Sequence, residues 1–294
     1  MRVLRRWLGL VLAVLAVAGP VTPHPADVGA RVAAAGQSYL QFNMCGNACN
    51  HGDLAVVHNL EQTIEADHPS VVTLNEMCAN QFERLNRDLP GYAGRFDPTG
   101  PVCGNGARYG NAILLRGSGV EPVGSWQLPN PAGDETRRLM CVRGRPAGAG
   151  SLVACVTHIS FAAGNIGVQI DAVTGLLRGL PGTDPILLGG DFNTDPLDAR
   201  LNPVYDNRYD AGTGAFTEVG SAASHSRTAG GHLPGVNDTT FARHKLDYIF
   251  LAGGHWSGPH ATVVDAGGGL SDHGALLATI SLAPGGAKGG ASAR

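Results

Sequence analysis

Charged residues are scarce in this chain, and lysine is almost absent. Asp, Glu, Lys and Arg make up 15% of the 294 residues, against about 25% in ordinary globular proteins. The only lysines are Lys245 and Lys288, and the formal net charge is −3. The chain therefore lacks the basic balance typical of general nucleic-acid binders. A nuclease with a local arginine patch stays compatible with this composition.

Long apolar runs are also rare, and the most conspicuous one lies near the N-terminus. It extends from Trp7 to Ala18, which is too short to span a bilayer. Three arginines precede it, and an Ala-Val-Ala cleavage pattern ends it. This arrangement predicts a secretory signal peptide over 1–18 and an extracellular mature protein. An uncleaved membrane anchor is the alternative. No later stretch predicts a transmembrane segment, and removing 1–18 changes the net charge from −3 to −6.

The remaining sequence predicts one α/β domain over 37–283. It follows an Ala/Gly/Pro-rich lead-in over 19–36 and precedes a Gly/Ala/Ser-rich tail over 284–294 that predicts disorder. Residues 201–240 are rich in Gly, Asn, Ser and Thr and predict a long irregular loop beside a site. Apolar periodicity predicts strands over 38–44, 70–75, 111–116, 152–158, 185–189, 246–251 and 275–282, and helices over 52–66, 81–89 and 165–178.

Six cysteines follow the signal segment, and an even number in an exported protein predicts disulfides. One pair is close enough to close a small loop, and another could join a predicted hairpin, which leaves a third pair. The resulting hypothesis is Cys45–Cys49, Cys141–Cys155 and Cys78–Cys103. Other pairings remain open, and Cys45 and Cys49 could instead bind zinc together with His51.

Polar side chains follow, or sit in, the predicted apolar strands. They are Asn43, Glu76, Asn111, His158, Asp191, Asn193, Asp247, Asp272 and His273. Ends of strands are where α/β enzymes usually build their sites. Carboxylate and amide oxygens are ligands for hard cations such as Mg²⁺, and imidazoles nearby can move protons. The pattern predicts hard-metal chemistry at a strand-end site.

Seven short motifs contain these residues. They are Gln41-Phe42-Asn43, Leu74-Asn75-Glu76, Tyr109-Gly110-Asn111-Ala112-Ile113, Thr157-His158, Gly189-Gly190-Asp191-Phe192-Asn193, Lys245-Leu246-Asp247-Tyr248 and Ser271-Asp272-His273. Their order resembles that of the endonuclease/exonuclease/phosphatase superfamily, which includes pancreatic deoxyribonuclease, abasic-site endonucleases and bacterial sphingomyelinases. The resemblance covers residues 41–273. It implies phosphoester hydrolysis and a four-layer α/β sandwich, in which helices flank two packed mixed β-sheets.

The resemblance also implies roles around a metal. Glu76 matches the principal metal ligand, and Asn43 matches the amide that assists metal and phosphate binding. Asp272 is expected to face the metal, and Asp191 to lie beside the metal or the attacking water. The Asn193 amide is expected to donate to phosphate oxygens as negative charge develops.

Two histidines would handle protons in the same scheme. His273 matches the general base, and Asp247 would accept its other ring N–H and support the imidazolium. His158 matches a second histidine that is either cationic or donates to the scissile phosphate or the leaving oxygen. Glu135 is expected to pair with His158, as an acid does in some members. Asn111 would contact the phosphate or make a structural hydrogen bond.

The motifs specify phosphoester hydrolysis but not the group attached to the phosphate. Arg137 and Arg138 are predicted to bind the substrate, with a solvated charged loop as the alternative for both. Abasic-site endonucleases tend to carry a lysine shortly after the metal-binding Glu. This chain has Met77-Cys78-Ala79 there, which disfavours that branch.

Export, disulfides and His158 favour an extracellular nuclease or phosphodiesterase that acts on DNA or RNA with Mg²⁺ or Mn²⁺. A sphingomyelinase-like phospholipase C acting on phospholipid is the alternative. The loop over 201–240 contains Tyr205, Tyr209 and Phe216, but no adjacent aromatic pair for membrane insertion. An inactive binding module would be expected to lose some site residues, and all are present. A structural Ca²⁺ is compatible with the sequence but has no assignable site. A monomer is expected, because no coiled coil or interface stripe argues for an oligomer.

Overall fold

Two β-sheets of six strands each form the frame of the protein. A computed structural model describes residues 36–117, 119–221, 224–227, 240–241, 244–254 and 256–282. The predicted signal peptide and C-terminal tail lie outside these residues. The first sheet contains β1 (Gln37–Asn43), β2 (Val71–Cys78), β3 (Tyr92–Val102), β4 (Arg108–Arg116), β11 (Trp256–Val264) and β12 (Ala275–Leu282). The second contains β5 (Val120–Gln127), β6 (Arg138–Gly144), β7 (Leu152–His158), β8 (Ile186–Asp191), β9 (Thr217–Glu218) and β10 (Asp247–Ala252).

Each sheet is mixed and has a parallel pair at its centre. The strand orders are β11-β12-β1-β2-β4-β3 and β5-β6-β7-β8-β10-β9. β1 runs parallel to β2 and β7 runs parallel to β8. The other pairings are antiparallel. Mixed sheets are what the family resemblance implies, so this expectation is confirmed.

The helices cover the outer faces of the two sheets. They are α1 (Ala55–Asp67), α2 (Ala79–Asp88) and α3 (Ala163–Arg178), with a short 3₁₀ turn at Ala199–Leu201. Apolar residues of α1 and α2 pack on the first sheet, as Leu60 does against Leu74, and those of α3 pack on the second, as Ile170 does against Leu188. A third core cluster joins the inner faces of both sheets. The layers are therefore helix, sheet, sheet and helix, as expected. None of the helices in the described ranges is long and apolar enough to cross a membrane.

The predicted loop over 201–240 is packed into the core over much of its described part. It contains β9, and Tyr205, Tyr209 and Phe216 are all buried against the second sheet. Burial of these rings removes them from any membrane-facing role. Residues 222–223 and 228–239 of this segment are outside the described part of the chain.

All six cysteines are paired in disulfides, with the connectivity favoured by the sequence. The bonds are Cys45–Cys49, Cys78–Cys103 and Cys141–Cys155. Cys141 and Cys155 are directly opposite each other on β6 and β7. The zinc alternative is wrong, because the sulfurs of Cys45 and Cys49 are bonded to each other.

The strand directions bring polar residues to one edge of the sandwich. Asn43 is opposite Asn75 where β1 and β2 run side by side, and His158 is opposite Asp191 at the ends of β7 and β8. Asp247 begins the antiparallel β10 and is also opposite Asp191. The central strands of both sheets therefore end at the same place.

Candidate active site

Asn43 holds two carboxylates together at the centre of the site. Its Nδ2 lies 3.0 Å from Oε1 of Glu76 and 3.0 Å from Oδ2 of Asp191. Its Oδ1, the side-chain atom able to bind a metal, accepts instead from the backbone N–H of Cys45 at 3.1 Å. In this arrangement Asn43 orients the two carboxylates, and the metal contact that its motif suggested stays a prediction.

Local backbone geometry turns Glu76 towards the site. β2 has a bulge against β4 between Leu74 and Met77, and Glu76 within it has φ +57°. Asn193, in the turn after β8, has φ +48°. Left-handed backbone at a residue other than glycine costs on the order of 1–3 kcal/mol and concentrates at functional sites. Asn tolerates this conformation better than Glu does, so the strain falls mainly on Glu76.

His273 and Asp247 form a buried pair. Nδ1 of His273 lies 2.7 Å from Oδ2 of Asp247, which is fully buried. Gln41 donates from Nε2 to the other oxygen of Asp247 at 3.2 Å. The ring of Phe241 packs against His273, with centroids 4.8 Å apart. The geometry contains the pair that the motifs implied.

Negative charge surrounds this pair. Nε2 of His273 lies 3.8 Å from Oδ2 of Asp191. Burial alone would lower the pKa of His273, but Asp247, and then Asp191 and Asp272, raise it to about 9. Burial, and then the charge of Asp247, raise the pKa of Asp191 to about 7. The site thus concentrates negative charge that a cation would neutralise.

This donor set fits a hard divalent cation. Glu76 and Asp191 offer carboxylate oxygens held by one amide, and ligand atoms of Asp191, Asp247 and His273 lie within 4.8 Å of one another. Oxygen ligands of this kind suit Mg²⁺ and Mn²⁺. Asp272 does not join this group. It is exposed, and its carboxylate lies within 4.8 Å of the sulfurs of Cys45 and Cys49.

His158 lies between a guanidinium and the carboxylates. Its Nδ1 is 2.6 Å from Nη1 of Arg137, and its Nε2 is 3.5 Å from Oδ2 of Asp191 and 3.9 Å from Oε1 of Glu76. Nδ2 of Asn193 is 3.2 Å from the same Nε2. Burial, Arg137 and His273 together hold the pKa of His158 well below its usual value. The cationic alternative for His158 is therefore not supported by its surroundings.

Glu135 does not occupy the place expected for it. Its Oε2 lies 3.5 Å from Nη2 of Arg137, so the acid contacts the arginine and the arginine contacts His158. Arg137 is only 3% exposed, so it is not part of a solvated loop. Its guanidinium contacts His158 and Glu135, and the expected contact with substrate stays a prediction.

Arg138 and Asn111 form side-chain hydrogen bonds with residues of neighbouring strands. Nε of Arg138 lies 3.1 Å from Oδ2 of Asp97 and 2.9 Å from Oγ of Ser125, which joins the two sheets. Asn111 accepts a hydrogen bond of 3.0 Å from Nδ2 of Asn75. These contacts describe structural roles, and the substrate contacts expected of both residues remain predictions.

Asn75 is a site residue that the sequence interpretation did not assign. Its Oδ1 accepts from Nε2 of Gln41 at 2.7 Å and from the backbone N–H of Asp191 at 3.0 Å. Its Nδ2 donates to Asn111 and to the carbonyl oxygen of Thr157, each at 3.0 Å. It therefore joins both sheets beneath the carboxylates. An amide inside an apolar strand was the available signal, because a buried amide must be hydrogen-bonded.

Lys245 is a second residue without an assigned role. It is buried, donates from Nζ to the carbonyl oxygen of Asp247 at 3.0 Å, and lies 3.3 Å from Oε1 of Glu218. Its ammonium also lies 4.6 Å from the ring centroid of Tyr248. A rare lysine two residues before Asp247 was the sequence signal for it.

Comparisons with known proteins identify the family and the fold of this chain. The family model described as the endonuclease/exonuclease/phosphatase family matches residues 40–273. No curated protein sequence matches significantly. Similar solved structures include D. rerio TDP2 humanized by 14 mutations, with a TM-score of 0.63 and 18% identity over 84% of this chain and 99% of that one. The human nocturnin catalytic domain with bound sulfate has a TM-score of 0.61 and 18% identity over 85% and 95% of the two chains.

A mannosyl-6-phosphatase from Bacteroides thetaiotaomicron is also similar, with a TM-score of 0.59 and 16% identity over 84% of this chain and 100% of that one. At such identities these likenesses show the fold alone. The family match extends over most of the chain, and members of this family are phosphoric ester hydrolases. The chain belongs to the endonuclease/exonuclease/phosphatase family.

Proposed function

We propose that the protein is a secreted, divalent-metal-dependent hydrolase of phosphodiester bonds, with DNA or RNA as the favoured substrate. The observation that carries this proposal is the buried Asp247–His273 pair, which faces Asp191 across 3.8 Å. A histidine supported by a carboxylate and directed at a cation-binding carboxylate suits the activation of water.

Glu76 and Asp191 would hold the cation, since both carboxylates are oriented by the same amide of Asn43. A bound Mg²⁺ or Mn²⁺ would neutralise the carboxylates and polarise a phosphoryl oxygen. Enzymes of this family generally use divalent metals, and the oxygen-rich donor set is compatible with either of these ions.

The protein's own groups would move the proton and stabilise developing charge. With a cation offsetting the carboxylate charges that raise its pKa, neutral His273 would take a proton at Nε2 from water as the water oxygen bonds to phosphorus. The bond to the leaving oxygen would break, and that oxygen would take up a proton from solvent. Asp247 supports the imidazolium that results. His158 and Asn193 are placed to donate hydrogen bonds to phosphoryl oxygens, where negative charge increases in the transition state.

A nucleic-acid substrate and an extracellular location are supported by a similar solved structure and by the disulfides. One similar structure is D. rerio TDP2 in complex with a single-strand DNA product, with a TM-score of 0.59 and 19% identity over 84% of this chain and 99% of that one. We extend a nucleic-acid substrate to this chain as a proposal. The three disulfides are compatible with an extracellular protein, which supports an extracellular nuclease over an intracellular one.

A phospholipase C is the second candidate, and exposed apolar residues favour it. Phe161 and Leu197 are each 67% exposed. They follow His158 and Asn193 along the chain, in loops at the active-site edge. Large exposed apolar side chains beside a site suit contact with lipid. The aromatic residues of the 201–240 segment are buried, so these two residues would have to supply that contact.

The test offers the purified mature protein plasmid DNA, RNA and sphingomyelin vesicles in parallel, with Mg²⁺ or Mn²⁺ and with EDTA. Metal-dependent cleavage of nucleic acid with intact sphingomyelin supports the first proposal. Phosphocholine release with intact nucleic acid favours the second. His273→Ala should reduce turnover by roughly 10²-fold or more in either case. Full activity in EDTA, or near-normal activity of this variant, would contradict the mechanism.

A further inference from the structure

Arg137 and His158 form a buried pair whose hydrogen bond has one possible direction. We propose that Arg137 is a positioning residue that fixes His158 as an uncharged imidazole with its proton on Nε2. In this form His158 acts on substrate as a neutral hydrogen-bond donor. The consequence for substrate rests on the proposed function, whereas the protonation pattern of His158 does not.

The donor in this contact is unambiguous. A guanidinium has only N–H donors and no acceptor, and Nη1 of Arg137 lies 2.6 Å from Nδ1 of His158. Nδ1 must therefore accept this hydrogen bond, because a hydrogen on Nδ1 would collide with the hydrogen on Nη1. A neutral imidazole with an unprotonated Nδ1 carries its hydrogen on Nε2.

The surroundings of Nε2 favour the same tautomer. Asp191 and Glu76 place carboxylate oxygens 3.5 and 3.9 Å from it, and such oxygens accept but do not donate when ionised. The amide nitrogen of Asn193 lies 3.2 Å from Nε2 and donates to the carbonyl oxygen of Ile159 at 2.9 Å. A neutral imidazole has only one accepting nitrogen, and Nδ1 already accepts from Arg137, so the Asn193 contact with Nε2 is a close approach and not a hydrogen bond. The ring thus has a cation at its accepting nitrogen and carboxylates near its donating nitrogen.

Arg137 is itself held in place. It is 3% exposed, and its Nη2 forms an ion pair with Oε2 of Glu135 at 3.5 Å. The guanidinium also lies beside the hydroxyl of Tyr109. A buried arginine fixed by an acid cannot turn to solvent without leaving that acid unpaired. The guanidinium therefore has a fixed position from which to orient the histidine.

The two histidines of the site consequently have opposite tautomers when neutral. Asp247 accepts from Nδ1 of His273, so Nε2 of that ring is free to take a proton. Arg137 donates to Nδ1 of His158, so Nε2 of that ring donates one. The anionic Asp247 thus leaves His273 able to accept a proton, and the cationic Arg137 leaves His158 able to donate a hydrogen bond. The two histidines would therefore have opposite tasks at one phosphate.

The experiment measures the ¹⁵N resonances of the histidine rings at pH 7.5 in the intact mature protein treated with EDTA. His158→Gln identifies the signals of His158 by their loss. We expect an unprotonated Nδ1 and a protonated Nε2 in the wild-type protein. Arg137→Met should shift both signals towards exchange between tautomers. Arg137→Lys should retain the wild-type pattern, because an ammonium also only donates.

Arg138→Met is the matched control, since it removes the neighbouring arginine but not a contact of His158. It should leave both His158 signals unchanged. If Arg137→Met unfolds the protein, Glu135→Gln combined with Arg137→Met removes both members of the ion pair and keeps the test available. A protonated Nδ1 in the wild type, or an unchanged tautomer without Arg137, overturns the proposal.

Kinetics provide a second readout where the protein is active. Arg137→Met should reduce kcat by roughly 10²-fold, as for the loss of one transition-state donor, with a smaller change in KM. Arg137→Lys should recover most of this loss. Absence of any phosphoesterase activity would contradict the proposed function, but it would leave the spectroscopic result intact, so the two failures are distinguishable.

Discussion

At the scale of single residues, Asp247 carries the clearest prediction. Asp247→Asn removes the charge that supports the His273 imidazolium while keeping the shape of the side chain. We expect kcat to fall by roughly 10²- to 10⁴-fold, as for other carboxylate-supported histidines. The measurement is hydrolysis of bis(p-nitrophenyl) phosphate with Mg²⁺. Asp97→Asn is the control, because Asp97 contacts Arg138 rather than a histidine, and it should retain most activity.

Asn75 leads to a prediction about stability. Asn75→Leu deprives Gln41, the backbone N–H of Asp191 and the carbonyl of Thr157 of buried partners. Each unsatisfied group costs about 1–3 kcal/mol, so urea unfolding should show a loss of at least about 3 kcal/mol. Asn59→Leu removes one hydrogen bond to the carbonyl of Gly267 and should cost about 1 kcal/mol. Equal losses in the two variants would contradict a central role for Asn75.

The sequence predicts the residues of the site better than their contacts. Glu76 and Asp191 lie at or near the ends of apolar strands, whereas Asp247 begins one and His273 closely precedes one. Their types and positions therefore identify them. Arg137 beside His158 could not be predicted, because the contact joins the start of one strand to the end of another. Motif order alone suggested Glu135 for that place. Packing decides whether Glu135 or Arg137 reaches the imidazole of His158, and motif order contains no information on that packing.

At the scale of secondary-structure elements, the central strands are predictable and the edge strands are not. β7 is buried at every residue, because it is covered on both faces, and it therefore has a continuous apolar sequence. β3, β5 and β11 lie at sheet edges, are partly exposed and contain Pro or Gly. Prolines are tolerated at edges, and they obscure the strand pattern. The prediction accordingly missed all three, and it also missed β9, the two-residue strand at the fourth sheet edge.

The disulfides give a matched pair of predictions at this scale. Cys78–Cys103 begins two residues after Glu76, whereas Cys141–Cys155 joins β6 to β7 on the face packed against α3. Loops of 25 and 14 residues are each worth about 3 kcal/mol in the chain-entropy model. Removing either bond as a double Cys→Ser variant should therefore lower the unfolding free energy by similar amounts.

The two variants should differ in metal requirement. Loss of Cys78–Cys103 frees the chain beside the strained Glu76, so half-maximal activity should require a higher Mg²⁺ concentration. Loss of Cys141–Cys155 should leave that concentration unchanged. Activity titrations with Mg²⁺ on both variants, below their melting temperatures, make the comparison. The same shift in both would show that stability alone controls metal affinity.

At the scale of the whole molecule, the site should destabilise the protein in the absence of a cation. The raised pKa of Asp191, about 7 against an ordinary value of 3.8, means that the folded state holds its proton more tightly than the unfolded state. Stability should therefore fall as pH rises through this interval. The raised pKa of His273 adds a further loss as pH rises from 6.5 towards about 9.

Asp191→Asn tests this directly by thermal unfolding. In EDTA at pH 8 the variant should melt at a higher temperature than the wild type, because a buried, repelled carboxylate is replaced by a neutral amide. Mg²⁺ should raise the melting temperature of the wild type by mass action and have little effect on the variant. A lower melting temperature for the variant in EDTA would mean that the carboxylate stabilises the fold.

The site residues are divided between the two sheets, and this has a consequence for the order of events during folding. Asn43 and Glu76 belong to one sheet, and His158 and Asp191 to the other, so neither sheet alone contains a working set. The hydrogen bonds of Gln41 and Asn75 to the opposite sheet can form only after the sheets meet. Recovery of activity during refolding therefore reports when the two sheets dock, and a chain whose sheets have not yet met has no assembled site.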